Sequence, residues 1–317
     1  MIVPIGMFGL GLALADAQMA PLADMHQHLF SPAAAALVSP ASGPLIQPIT
    51  AKHVIQLLDE AGIRRALVLS VAYTFGNPNR NVEEEYEKVK AENDWTSQQA
   101  AQFPDRLRAF CSFNPLKDYA LEELARCARD PRLRRGLKLH FGNSDVDYQN
   151  LAHIERVRAV LQAANRNRMA VVIHMRASIT NQRAYGPDEA RIFLDQLLPA
   201  APDVPIQIAH MAGAGGYDEV TDQAVGVFAD AIRRKDVRTR RLYFDVTSVV
   251  AQELAPEQNR RISARLRQLG VGRVLYGSDA DGGGNPHPKE LWAMFRKLDL
   301  SEAEFRTIAR NLPPYIR

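Results

Sequence analysis

Five of the eight histidines in the 317-residue chain, His26, His28, His140, His174 and His210, end short apolar runs or sit just past them. His26 and His28 belong to Asp24-Met25-His26-Gln27-His28, and a spacing of two along an extended strand turns both imidazoles to one face. Two imidazoles converging on one point fit a metal. His140 closes Gly136-Leu137-Lys138-Leu139-His140, His174 follows Val171-Val172-Ile173, and His210 follows Ile206-Gln207-Ile208-Ala209. Tyr276-Gly277-Ser278-Asp279 brings a carboxylate to an equivalent place. One such histidine on its own is more often structural, but neutral imidazoles grouped with a carboxylate suit zinc or a similar divalent ion that keeps a position open for water. The ion lowers the pKa of that water to about 7, so a nucleophile is available at neutral pH.

These side chains can meet only if the strands that carry them lie side by side. From Pro21 onward, eight short apolar runs alternate with longer amphipathic stretches: Leu22–Met25, Ala66–Val71, Leu107–Phe113, Gly136–His140, Ala170–His174, Pro205–His210, Leu242–Val246 and Arg273–Gly277. Their starts are roughly 30 to 45 residues apart, which accommodates a strand, a crossover helix and two loops. The pattern predicts an α/β fold, a single (β/α)8 TIM barrel over residues 21–317, with its active site at the C-terminal ends of the strands. Thr50 is placed to cap a helix with Val54, Leu57, Leu58 and Ile63 on one side, ended by Gly62. Asp118 is placed to cap another carrying Leu121, Leu124 and Ala125, and Pro187 suits the first turn of a third carrying Ile192, Phe193 and Leu197. Ser31–Pro48 and Thr74–Asn81 read as loops over the active face, with a small helix at Ala33–Ala36. Gly213–Gly216 lacks the Lys-Ser/Thr ending of a phosphate loop and reads as a flexible turn beside the pocket.

The 39 basic and 36 acidic residues leave a net charge of +3, too small and too evenly mixed to imply a nucleic-acid partner. Arg233-Arg234-Lys235 and the group Arg238, Arg240 and Arg241 read as solvated helix ends and loops. Two cysteines make no disulfide framework, and Cys111 and Cys127 read as buried thiols. Residues 1–20 form an apolar N-terminal segment in which Met7–Leu14 is too short to span a membrane. Ala15-Asp16-Ala17 follows the small-x-small pattern of an export cleavage site, although no Lys or Arg precedes the apolar run. The segment is read as a truncated signal peptide of an exported or periplasmic protein, with an arm packed on the barrel's end of a cytoplasmic one as the alternative. A small-molecule substrate is the partner expected, without nucleic acid or a membrane span, and a homo-oligomer is compatible with the sequence.

Asp24-Met25-His26-Gln27-His28, Gly136-Leu137-Lys138-Leu139-His140, the histidines ending strands five and six, and Gly277-Ser278-Asp279 together resemble the amidohydrolase superfamily. More narrowly they resemble its second branch, the amidohydrolase-related proteins, which include aminocarboxymuconate-semialdehyde decarboxylase and pyrone-dicarboxylate lactonase. The resemblance runs from Leu22 to Asn311. It implies a metal-dependent enzyme in which His26, His28 and His174 bind the metal, Asp279 binds it while handling a proton, and His210 is a second-metal ligand or an acid/base group. It implies one divalent ion, zinc first among the choices, with Lys138 as a cationic substrate contact. The alternative is two ions bridged by a carboxylated Lys138. The chain departs from several aromatic-acid decarboxylases of this branch, which carry glutamate where it has His26, and this weighs against that reaction.

Arg176, two residues beyond His174, faces the pocket if the strand direction persists, and its planar fork can grip a carboxylate. The alternative is a loop arginine paired with a structural acid. Tyr73, Asn114 and His140 are further candidate substrate contacts, and Asp245 on strand seven can orient a ligand from behind. The leading expectation is hydrolysis of an amide, lactone or ester bond in a small carboxylated substrate by a metal-activated water, with Asp279 moving the proton. The second is non-oxidative decarboxylation of an unsaturated or aromatic acid, with Arg176 orienting the carboxylate and His210 assisting protonation. A metal-binding barrel without catalysis is a third class, disfavoured because a convergent, open site is costly to keep idle.

Overall fold

In the computed structural model, which describes residues 19–177, 181–279 and 287–317, the apolar runs form eight strands. They are β1 (Ala23–His28), β2 (Arg65–Leu69), β3 (Leu107–Ser112), β4 (Gly136–His140), β5 (Ala170–His174), β6 (Ile206–Ile208), β7 (Leu242–Asp245) and β8 (Val274–Leu275). Each pairs in parallel with the next, in chain order. Between the outermost strands, Met25 N–H donates to the Tyr276 carbonyl and Asp279 N–H to the His26 carbonyl, both at 2.8 Å. The ring therefore closes, and the helices surround it as a TIM barrel. These are α1 (Pro32–Val38), α2 (Ala51–Ala61), α3 (Glu85–Ala101), α4 (Ala120–Arg129), α5 (Phe141–Ser144), α6 (Leu151–Arg166), α7 (Pro187–Ile192), α8 (Glu219–Arg233), α9 (Pro256–Leu269), α10 (Pro288–Phe295) and α11 (Glu302–Arg310).

The period of two sorts the strand side chains. Leu67, Leu69 and Val172 fill the barrel interior with Phe110 and Leu275, whereas Val68, Leu139, Val171 and Ile173 pack outward in the helix-facing core. β1 breaks the alternation. Its register against β2 shifts between Asp24 and Gln27, so Met25 can pack in the interior cluster while its neighbour His26 also reaches the centre of the barrel. An extra residue in one strand re-aims side chains in this way, and both histidines of the motif depend on it.

The helix ends follow local chemistry. Thr50 accepts a hydrogen bond from His53 N–H at the start of α2, and Gly62 ends the helix in a left-handed conformation, with φ at 67°. Pro187 opens α7, and the small helix within Ser31–Pro48 is α1, capped by Ser31. Asp118 does not cap α4. The N-cap is Tyr119 with no side-chain hydrogen bond, and Asp118 instead pairs with Arg156 at 2.8 Å. Strands six and eight are shorter than expected; beyond β6 His210, Met211 and Ala212 turn left-handed, with φ of 52°, 49° and 64°, and four residues beyond β8 Asp279 does so, with φ of 60°. Cys111 and Cys127 are buried and free. The apolar run Met7–Leu14 and the cleavage-like triplet lie outside the described residues. Among the described residues no helix is long and apolar enough to cross a membrane.

Candidate metal and active site

The five histidines form a continuous arc at the C-terminal ends of the strands. Ring centroids are 5.1 Å apart for His28 and His26, 4.9 Å for His26 and His210, 4.9 Å for His210 and His174, and 3.9 Å for the stacked pair His174 and His140. Tyr73 extends the arc, 4.9 Å from His140.

Hydrogen-bond partners assign the protons. His28 Nδ1 faces the Leu69 carbonyl at 2.9 Å and His210 Nδ1 faces the Thr247 carbonyl at 3.0 Å, and a carbonyl can only accept. His26 Nδ1 faces Asp245 Oδ2 at 3.1 Å. All three are therefore protonated at Nδ1 and present the Nε2 lone pair to the centre. His140 is the reverse, since its Nδ1 accepts Asn143 N–H at 3.0 Å and its Nε2 carries the proton. The sequence reads Asp245 as able to orient a ligand from behind, and here it touches two of the histidine positions. It holds His26 through Oδ2 and takes the backbone N–H of His210 at 2.8 Å through Oδ1, so one carboxylate fixes ends of β1 and β6 together.

Donor atoms of His26, His28 and Asp279 lie within 4.8 Å of one another. Asp279 Oδ1 is 3.4 Å from His28 Nε2 and 3.9 Å from His26 Nε2. Bonds of about 2.0 to 2.2 Å at tetrahedral angles separate ligand atoms by roughly 3.3 to 3.6 Å, so Asp279 Oδ1 and His28 Nε2 already stand at that spacing and His26 Nε2 stands a few tenths of an ångström beyond it from Asp279. Of the four expected ligands, His174 stands apart from this triplet. It joins the centre through its ring contacts with His140 and His210.

Burial sets the charge state. It pushes His28 down to about 3, and together with Lys138 it lowers His26. Burial, reinforced by neighbouring cations and imidazoles, also holds His140 and His174 well below the usual range. Neutral imidazoles are what a metal needs. Burial works against the Asp279 carboxylate, yet the group lies below the usual range; with the imidazoles neutral, the Lys138 ammonium is the charge that favours its ionised form, and 18% of the side chain is exposed. Lys138, buried on β4, reaches His26 Nε2 at 3.2 Å. Burial brings its ammonium down to about 8, against the pull of Asp245 and Asp279.

The expected substrate contacts separate. Arg176 lies past the end of β5 and pairs with Asp218 at 2.9 Å, over the Tyr185 ring at 5.8 Å, so a protein carboxylate already answers its charge. Asn114 is spent on the backbone, donating to the Gly76 carbonyl at 2.7 Å and accepting Leu116 N–H at 2.8 Å. A residue that sequence reasoning passed over is Arg80. It makes no ion pair among the described residues, and its Nη1 is buried without a hydrogen-bond partner among them. Its only sequence signal is a basic residue in the Thr74–Asn81 loop.

No curated protein sequence matches the chain. Solved structures of similar fold include a probable 2-pyrone-4,6-dicarboxylic acid hydrolase from Acinetobacter baumannii with citric acid bound, at 15% identity and a TM-score of 0.57, covering 91% of this chain and 96% of that one. A second is the 5-carboxyvanillate decarboxylase of Novosphingobium aromaticivorans with bound manganese, at 12% identity and a TM-score of 0.63, covering 93% and 96%. A third is an amidohydrolase from Burkholderia multivorans with bound zinc, at 14% identity and a TM-score of 0.58, covering 91% and 96%. The Amidohydrolase family model matches residues 23–311, and the chain belongs to that family.

Proposed function

We propose that the protein is a metal-dependent hydrolase of an amide, lactone or ester bond in a small carboxylated molecule. The observation that carries this reading is the convergence of His26, His28 and Asp279 within 4.8 Å, with lone pairs directed inward and a partly exposed carboxylate. His26, His28 and Asp279 would hold the ion, with His174 as the fourth expected ligand, and the ion would polarise the scissile carbonyl and acidify a water. Asp279 Oδ1 faces the histidines, which leaves its second oxygen to take the proton of the attacking water and return it to the leaving group. His210 Nε2, its other nitrogen held by the Thr247 carbonyl, is a fixed acceptor opposite. His140 Nε2–H is a donor toward substrate, and Tyr73 stands beside it.

Arg80, which has no carboxylate partner among the described residues, suits the substrate's acid group better than Arg176 does. The reading keeps one ion, zinc first, with manganese as the other choice, and Lys138 as a cationic neighbour; a carboxylated Lys138 bridging two ions remains the alternative. Decarboxylation of a carboxylated aromatic or unsaturated acid is the second reading, supported by the likeness to a solved decarboxylase.

The deciding experiment measures metal content of the purified protein and screens carboxylated lactones, amides and aromatic acids, following ring opening, incorporation of labelled water oxygen and carbon dioxide release. Label in the product without carbon dioxide is expected. Carbon dioxide without label selects the second reading. Asp279→Asn should lower turnover by about a hundred-fold to ten-thousand-fold in either case, and a variant as active as the parent removes Asp279 from the chemistry.

A further inference from the structure

The barrel interior beneath the histidines is apolar, filled by Met25, Leu67, Leu69, Phe110, Val172 and Leu275. Gln207 of β6 stands in it fully buried. An amide in such surroundings is tolerated only when its hydrogen bonds are made, and here they are. Nε2 donates to the Met25 carbonyl at 3.0 Å and to Asp245 Oδ2 at 2.6 Å, while Oε1 accepts the Tyr315 hydroxyl at 2.5 Å. Asp245 Oδ2 in turn accepts His26 Nδ1–H at 3.1 Å. Tyr315 lies at the N-terminal end of the barrel, in the wall of a cavity of about 470 Å³ shared with Arg135 and Arg168, which precede β4 and β5. An unbroken line of hydrogen bonds thus crosses the barrel, from the end opposite the histidines to the back of one of them.

We propose that Tyr315 and Gln207 are positioning residues for the metal ligand His26, acting through Asp245. The inference rests on the metal-site reading above. The Met25 carbonyl and the Asp245 carboxylate can only accept, which turns Gln207 Nε2 toward them and leaves Oε1 to be held by the Tyr315 hydroxyl. Asp245 Oδ2 is then held between two donors, so its position is set before any ion arrives. His26 keeps its proton on Nδ1 and its lone pair on Nε2, turned to the centre. A narrower role is also available to Gln207, because its bond to Met25 satisfies a carbonyl at the bulge in β1. Tyr315 has no part in that bond, so a variant of Tyr315 separates the two roles.

The test uses the full chain stripped of metal. Zinc and manganese affinities are measured by competition with a chromophoric chelator, metal loss by transfer to excess EDTA, and the His26 tautomer by the nitrogen chemical shifts of its ring. Tyr315→Phe removes one oxygen and keeps the ring against Phe110, 5.5 Å away, so it is expected to fold with little change in melting temperature. It should raise the metal Kd and off-rate roughly three-fold to ten-fold, and Gln207→Met roughly ten-fold to a hundred-fold, with the Nδ1–H form of His26 less populated in both. Wild-type affinity, off-rate and nitrogen shifts in Tyr315→Phe overturn the proposal, even if Gln207→Met is weak, because Gln207 then serves only the bulge. A parent protein that binds neither ion has a different signature, identical chelator curves for all three proteins, and it takes down the metal-site reading with the inference.

Discussion

His26, His28 and His210 each give Nδ1–H to an oxygen, while His140 receives a backbone N–H at the same atom. Residues of one type, a few ångströms apart, are thereby divided into inward-facing lone pairs and a donor. Charge divides the arginines in a similar way. Arg176 is matched by Asp218, whereas Arg80 has a buried Nη1 with no hydrogen-bond partner among the described residues. A guanidinium that stays charged at accessible pH gains most from an anion when no protein carboxylate competes for it. Arg80→Ala is therefore expected to lower kcat/KM for a carboxylated substrate by roughly ten-fold to a hundred-fold, about 1 to 3 kcal/mol, and Arg176→Ala to lower it less. Steady-state kinetics on the substrate found by screening check this, and the reverse order of effects would return the role to Arg176.

Between elements, Glu92 of α3 ties down the start of α1 by accepting Ser31 N–H at 3.2 Å and the Ser31 hydroxyl. Burial pushes this carboxyl up to about 7, against the pull of the two Ser31 bonds. The folded chain then holds a proton that the unfolded chain loses near the ordinary value of 4.5, so unfolding releases a proton between these limits. Stability from this group is full below about pH 4.5 and declines until about pH 7. Asp24, raised by burial to about 6, contributes with the same sign, so the parent and Glu92→Gln must be compared. The variant's melting temperature should fall less over that range, and parallel curves would remove Glu92 from the account. At this scale the sequence was most readable where local chemistry decides the outcome. β4 and β5 run over the residues expected, as do the Thr50 cap and the Gly62 stop, because period, cap and stop are written within a few neighbours. The Asp118 cap is not formed, since α4 takes Tyr119 as its N-cap and Asp118 pairs at the surface with Arg156 from a distant helix. The bulge in β1 had no local signal either, since only pairing with β2 reveals it.

For the whole molecule, the eight-strand order and the barrel were legible from spacing, and the gathering of His26, His28 and Asp279 from strand-end position. The standing of Arg80 and Arg176 was not, because ion pairing depends on which loops meet in space. An ion held by His26 and His28 of β1 and by Asp279 beyond β8 would staple the first strand to the last. At a free ion concentration about a hundred times Kd, the folded state should gain about 2.7 kcal/mol, raising the melting temperature of stripped protein by roughly 3 to 6 °C. Calorimetry with and without zinc or manganese reads this directly, and an unchanged melting temperature would count against a resident ion. The contact between β1 and the end of β8 carries one more implication. Asp24 accepts Ser278 N–H across 254 residues of sequence, and Asp279 meets His28 across the same seam. Pairing so distant in sequence is entropically late in folding, after neighbouring strands have zipped. A nascent or partly unfolded chain therefore has its histidines without the carboxylate, and capture of the ion reports on the closing of the ring.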